Sequence, residues 1–201
     1  MKRLKVIYLL PMLAFIMFTD CQTDGGFSRE ESELINAGAA DDVMRVLTVD
    51  DAQDSLFLRR DCVDLDVHAL KSPEYARLAA RMLSTVTSPE QNGVGIAGPQ
   101  VGISRRVVAV QRFDKEGEPF EVYPNIRIIA FHGDPEPGPE GCLSVPGRRG
   151  EVLRWQDIEI SYTSPTSLSD TTERIQGFTA VIFQHETDHL SGILYTDKLS
   201  E

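Results

Sequence analysis

The pattern of apolar and polar positions divides the chain into three stretches. Residues 6–18, VIYLLPMLAFIMF, are apolar almost without a break, and residues 22–43, QTDGGFSREESELINAGAADDV, are polar with no strong apolar period. The first reads as an inserted or exported segment, the second as a polar tether. From residue 44 to 201, patterned segments alternate with turn residues, so a packed domain is expected there. RVLTV (45–49) reads as a short strand. A helix is predicted over SPEYARLAARMLSTVTS, with Ser72 as N-cap and Pro73 at its first position; Tyr75, Leu78, Ala79, Met82, Leu83 and Val86 recur at helical spacing. RVVAVQRF (106–113) is a strand, DKEGEP a turn, and FEVYPNIRIIAF (120–131) a returning strand broken at Pro124. HGDPEPGPEG (132–141) reads as a Pro/Gly loop. EVLRWQDIEISYT (151–163) reads as one long strand with TTERIQGF as its hairpin partner, and FTAVIFQHETDHLSGI as a last helix closed by Gly192. Several strands with two clear helices and no repeat predict an α+β domain, mostly antiparallel sheets packed around that C-terminal helix.

The charge balance, 20 basic against 31 acidic residues and net −11, argues against nucleic acid as a partner, since phosphate backbones are bound by clustered Lys and Arg. Three widely spaced cysteines, Cys21, Cys62 and Cys142, are not a disulfide framework. MKRLK ahead of the thirteen-residue apolar run has the order of an export signal, and the run is short of the about 20 residues a membrane span needs. Cys21 stands where a lipidated cysteine follows cleavage, although Phe18, Thr19 and Asp20 depart from the small residues expected before it. An uncleaved anchor or N-terminal helix is the alternative for residues 1–21.

The chemistry concentrates in QHETDHLSG (184–192). Phe178, Val181, Ile182, His185 and His189 follow one helical face, so both imidazoles continue an apolar stripe and point inward. Two histidines one turn apart can bind one metal from the same side, with Glu186 within reach of a water there. The alternative is a pair of core histidines held by hydrogen bonds. A third ligand downstream is not supplied: no His, Cys or Glu follows His189 before Glu201, and Asp197 is the nearest carboxylate. Upstream, His68 and His132 have no supporting pattern, whereas Cys142 lies in EGCLS beside Gly141. One thiolate with two imidazoles leaves a tetrahedral position open. Cys62 reads as a small buried hydrophobe.

At these residues the chain resembles the peptide deformylases. That family carries three motifs in fixed order, and here they are GVGIAGPQ (93–100), EGCLS (140–144) and QHETDHLSG (184–192). The resemblance runs from about residue 45 to 199. It implies one divalent metal, physiologically Fe²⁺ with Zn²⁺ or Ni²⁺ as substitutes, held by Cys142, His185 and His189. It implies Glu186 as the general acid–base, with Gln100 and the Leu143 N–H as oxyanion donors, in the hydrolysis of N-formylmethionyl peptides to formate. Val94, Gly95 and Gly141 match backbone that binds an extended substrate, Arg149 a residue beside its path, and Phe178 and Val181 the walls of the methionine pocket. Glu140 and Arg154 match a charged pair supporting the cysteine loop. The expected partner is a formylated peptide and the expected state a monomer; a membrane tether is expected from the N-terminal residues alone and not from the resemblance.

Two departures stand out. Gly98 replaces the commoner Ala, and YPN replaces an Asn-Pro order near Pro124. An export signal also conflicts with the cytoplasmic place of such an enzyme, which leaves exported hydrolysis of other N-acyl peptides, a small peptidase, or a non-catalytic formyl-peptide-binding lipoprotein as alternatives.

Overall fold

The computed structural model describes residues 25–200; the export-signal and Cys21 lipidation expectations lie outside the described residues. Five helices, α1 (Arg29–Asn36), α2 (Ala52–Phe57), α3 (Val67–Leu70), α4 (Pro73–Val86) and α5 (Phe178–His189), accompany eight strands. The strands are β1 (Gly95–Ala97), β2 (Val107–Gln111), β3 (Phe120–Pro124), β4 (Arg127–Phe131), β5 (Pro135–Cys142), β6 (Val145–Trp155), β7 (Asp157–Thr163) and β8 (Asp170–Gln176). They form three antiparallel sheets, ordered β1-β2-β3, β4-β7-β8 and β5-β6. The expected α+β class holds, with α5 packed against β1, β2, β4, β6 and β8.

β2 shows why the core divides in two. Its VVAV run is buried on both faces. Val107 and Ala109 join Ile96, Leu78, Met82 and Val86 under α4. Val108 and Val110 join Ala97, Ile158, Ile160, Ile175, Ile182 and Phe183 around α5. Alternation along one strand therefore feeds a helix on each side, and α5 is enclosed by sheet. Burying a side chain such as Phe183, fully removed from water, contributes about 1.5–3 kcal/mol. α4 forms as predicted: the Ser72 hydroxyl accepts the Tyr75 N–H, Pro73 occupies the first turn, and Tyr75, Leu78, Met82 and Val86 are buried.

Four expectations are corrected. The tether reading of 22–43 fails between Arg29 and Asn36, where the chain is helical. Ser28 and Glu31 close a reciprocal capping box, and Ile35 is fully buried. This helix docks through charge: Glu31 pairs with Arg105 at 2.9 Å and accepts the Ser104 N–H at 2.8 Å, while Arg81 donates to the Leu34 and Ile35 carbonyls. A hydrophobic period does not register such an attachment. RVLTV is not a strand, because its N–H groups go to two separate loops: Leu47 donates to the Gln100 carbonyl and Val49 to that of Ser144. The 132–141 loop is largely strand β5. Pro135, Pro137 and Pro139 alternate along it, so their missing N–H groups fall on the side away from β6. The long strand over 151–163 divides at Gln156 into β6 and β7, which belong to different sheets. Gln184 of α5 makes the division, accepting the Trp155 N–H at 3.0 Å and donating to its carbonyl at 2.6 Å.

Candidate metal and catalytic site

A cleft of about 830 Å³ opens between the 91–95 segment, the β5–β6 hairpin and α5. Gln100, Glu140, Gly141, Cys142 and Leu143 line it from the loops, and Phe178, Val181, Ile182, His185 and Glu186 from α5. Val94, Gly95 and Arg149 also line it, so among the predicted site residues only His189 and Arg154 stand behind the wall.

At its floor, one donor atom each of Cys142, His185 and His189 lies within 4.8 Å of the others. Cys142 Sγ is 3.2 Å from His189 Nε2. His185 is oriented by its other ring nitrogen, Nδ1, which lies 2.8 Å from Glu140 Oε2. Arg154 Nε donates to Glu140 Oε1 at 2.6 Å, and its Nη1 donates to Asp188 Oδ2 at 2.6 Å. The predicted Glu140–Arg154 pair is thus present, and it fixes which nitrogen of His185 faces the cysteine. His68 and Asp197 are elsewhere, the latter paired with Arg59, and His132 contacts Glu159.

The donor set fits a metal. Burial alone would raise the Glu140 carboxyl, but bonds from His185 and Arg154 outweigh it and hold it at about 2. Burial opposes charge on His185 too, yet Cys142 and Glu140 push it up to about 10. A cation at Nε2 would satisfy the same negative surroundings, in competition with that proton. Burial, and then the neighbouring His185 charge, hold His189 well below its usual value and keep its imidazole neutral, as ligation requires.

Glu186 is buried, and burial raises it to about 7, against the pull of His185. Its Oε2 has no partner among the described residues, so one oxygen is left for a guest in the cleft to satisfy. Gly95 makes room for it: a Cβ there would meet Glu186 Oε1 at 2.5 Å. Gln100 is 1% exposed in a 3-10 turn over Gly98–Val101. Its Oε1 accepts the Ala97 N–H at 2.9 Å, which fixes the amide, and its Nε2 donates to Ser144 Oγ at 3.1 Å and reaches Cys142 Sγ at 3.6 Å. At Gly98 in that turn a Cβ would sit 2.8 Å from the carbonyl oxygens of Ile103 and Arg105, so the backbone is closely packed there. The Leu143 N–H has no acceptor among the described residues. Phe178 is 55% exposed into the cleft mouth with its ring 5.4 Å from Phe113, and Val181 is half-buried one turn on.

Sequence reasoning missed Ser144, Asp188, Ile182 and Arg148. The first two lie within the EGCLS and QHETDHLSG motifs, but their roles come from hydrogen bonds to Gln100 and Arg154, which are distant in the chain. Ile182 is on the apolar stripe already noted, and Arg148 is adjacent to Arg149.

Comparison with known proteins agrees in sequence and in fold. The family model described as polypeptide deformylase matches residues 43–201. A peptide deformylase of Desulforudis audaxviator is 39% identical over 127 residues, covering 63% of this chain and 79% of that relative. The actinonin-bound crystal structure of the class I type b peptide deformylase from Acinetobacter baumannii superimposes with a TM-score of 0.68 at 35% identity, over 79% of this chain and 99% of that one. The Met-Ala-Ser-bound structure of the same enzyme gives 0.69 at 34% identity with the same coverage. Helix α1 precedes the matched region.

Proposed function

The chain belongs to the polypeptide deformylase family, and we propose the roles of its residues from that membership and from the geometry of the cleft. It is a metal-dependent hydrolase that removes the formyl group of N-formyl peptides, and its substrate is a peptide. The observation that carries the assignment of roles is the meeting of Cys142, His185 and His189 beside the unsatisfied carboxylate of Glu186.

Cys142, His185 and His189 would hold the ion. We take it to be Fe²⁺, as the family resemblance implies; the same thiolate and imidazole donors suit Zn²⁺ and Ni²⁺. When bound, a divalent ion makes a water acidic near neutral pH and polarises the formyl oxygen. The peptide enters extended, against the outer edge of β1, which carries no strand neighbour on that side. Its methionine side chain packs on Phe178 and Val181, while Val94, Gly95 and Gly141 offer backbone groups, the two glycines without a side chain in the way. Glu186 accepts the proton of the attacking water and returns it to the departing nitrogen. Gln100 Nε2 and the Leu143 N–H donate to the oxygen that gains negative charge; losing one such donor costs about 2.7–4 kcal/mol of transition-state stabilisation. Glu140 and Arg154 keep His185 oriented. The Acinetobacter relative has Met-Ala-Ser bound, a peptide that begins with methionine as the product of this reaction would. We further propose that the enzyme works as a monomer and that residues 1–21 tether it at a membrane outside the cytoplasm, to be tested by cell fractionation.

The test is formate release from a formyl-Met tripeptide by protein purified anaerobically with Fe²⁺, beside Glu186→Ala. Turnover is expected in the parent and lost in the variant with metal content retained. Full metal loading without formate, or turnover that survives the substitution, would overturn the assignment.

A further inference from the structure

The cleft wall carries two arginines: Arg149, which the family resemblance sets beside the substrate path without a chemical task, and Arg148, to which it gives no role. Among the described residues, nearly every arginine is committed. Arg29, Arg45, Arg59, Arg105, Arg106, Arg112, Arg127, Arg154 and Arg174 have carboxylate partners, Arg81 caps a helix, and Arg60 stacks on Phe57. Arg77, Arg148 and Arg149 have none, and of these Arg148 and Arg149 line the cleft. In a chain of net charge −11, two unpaired cations at one cleft are not explained by excess basic residues.

Their placement is specific. Both lie on β6 just past Gly147, which takes a positive φ within the strand where the hairpin register shifts, and both are exposed. Arg149 stands opposite Gly141 in the hairpin register, one residue before Cys142. A Cβ on Gly141 would lie 3.6 Å from Arg149 Cγ and 3.9 Å from its Nε, so the absent side chain leaves a seat over which the arginine lies. The carboxylates lining the same cleft are Glu140 and Glu186. Glu140 is tied to Arg154 and His185, and Glu186 is buried beside Gly95, so neither neutralises the pair. Gln91 and Asn92, which also line the cleft, are uncharged.

We propose that Arg148 and Arg149 form a carboxylate subsite for the part of the peptide that follows methionine, so that the enzyme favours substrates carrying a negative charge there. This rests on the deformylase reading. With the formyl carbon beside Cys142 and the methionine on Phe178 and Val181, an extended chain advances about 3.3 Å per residue and leaves the cleft along the β5–β6 hairpin. The second or third residue then passes the guanidinium groups, whose planar donor forks suit a carboxylate. The charge can be the terminal carboxylate of a short peptide or an Asp or Glu side chain. A terminal carboxylate would mark released formyl peptides rather than growing chains as substrates.

Three substrates separate the sources: formyl-Met-Ala-Ser, its C-terminal amide, and the amide of formyl-Met-Ala-Glu. kcat/KM is read from formate release for the full metal-loaded chain and for Arg148→Gln/Arg149→Gln. The readout is the ratio of charged to neutral substrate within each enzyme form. Two exposed charge contacts predict a ratio of about three to ten at low ionic strength, falling to within about twofold in the double variant and in 1 M salt. Whichever charged substrate shows it identifies the source. Equal kcat/KM for all three in the parent, or a preference that persists in the double variant, would overturn the subsite. No formate from any substrate would overturn the deformylase reading and the subsite with it.

Discussion

Replacing Glu31 with Ala should unfold this protein at a much lower temperature, although Glu31 does not line the cleft and precedes the region shared with the family. The Glu31 and Arg105 side chains are 7% and 2% exposed, and their ion pair closes at 2.9 Å. Glu31 also accepts the Ser104 N–H and, through its capping box, the Ser28 N–H, both at 2.8 Å. Arg105 Nη1 already lacks a partner, so Glu31 supplies nearly all the compensation that this buried guanidinium receives. Removing one member of a buried pair leaves an uncompensated charge and costs about 3–5 kcal/mol. For a domain of this size each kcal/mol lowers Tm by roughly 2–4 °C, so a fall of about 6–20 °C is expected. Thermal unfolding of the metal-loaded protein, followed by circular dichroism at neutral pH, reads it directly. Because the pair is out of solvent, the fall should persist in 1 M salt. The double variant Glu31→Gln/Arg105→Met removes both charges and should lose less than Glu31→Ala alone. A drop below about 2 °C, or one that vanishes in salt, would refute the claim that α1 is docked by a buried charge.

Gly95→Ala should lower kcat by at least about tenfold with metal content unchanged, because the new Cβ would meet Glu186 Oε1 at 2.5 Å and Ile182 at 2.8 Å and displace the base; metal analysis beside formate release checks both halves. Glu140→Gln should weaken metal binding by about 10–100-fold, since it removes the charge that orients His185; competition against a chelating dye measures this. The protein should lose stability as pH rises from about 9 towards 12. Burial pushes the Cys62 thiol up to about 12 and moves Tyr75 in the same direction, so the unfolded chain releases protons that the folded state still holds. Urea midpoints across that range should fall, and Cys62→Ala should make the fall shallower.

The readable parts of this chain are those whose cause lies within a few residues. The cap and apolar spacing of α4 are in SPEYARLAARML itself, and the inward stripe that carries His185 and His189 is visible because a helix repeats every 3.6 residues. The three motifs pointed to the ligand set, to Glu186 and to Gln100, because short backbone approach and ligation demand particular residue types at particular spacings. The rest was decided by partners distant in the chain. β6 and β7 read as one strand until Gln184, about 29 residues away, takes both backbone groups of Trp155 at the end of β6. The Pro/Gly run at 135–142 becomes strand because β6 pairs with the one side of it that has N–H groups to give. Residues 29–36 look like solvated tether because their anchor is Arg105, a charge buried by the fold and not by any local pattern; only the Ser28–Glu31 spacing marks a helix start there. Arg149 was set beside the substrate path only by its match to the family, and Arg148, an ordinary surface charge in sequence, becomes a cleft residue in space. Periodicity reports what a segment prefers to bury, whereas a backbone group or a charge is satisfied by whichever partner tertiary packing brings within hydrogen-bond reach.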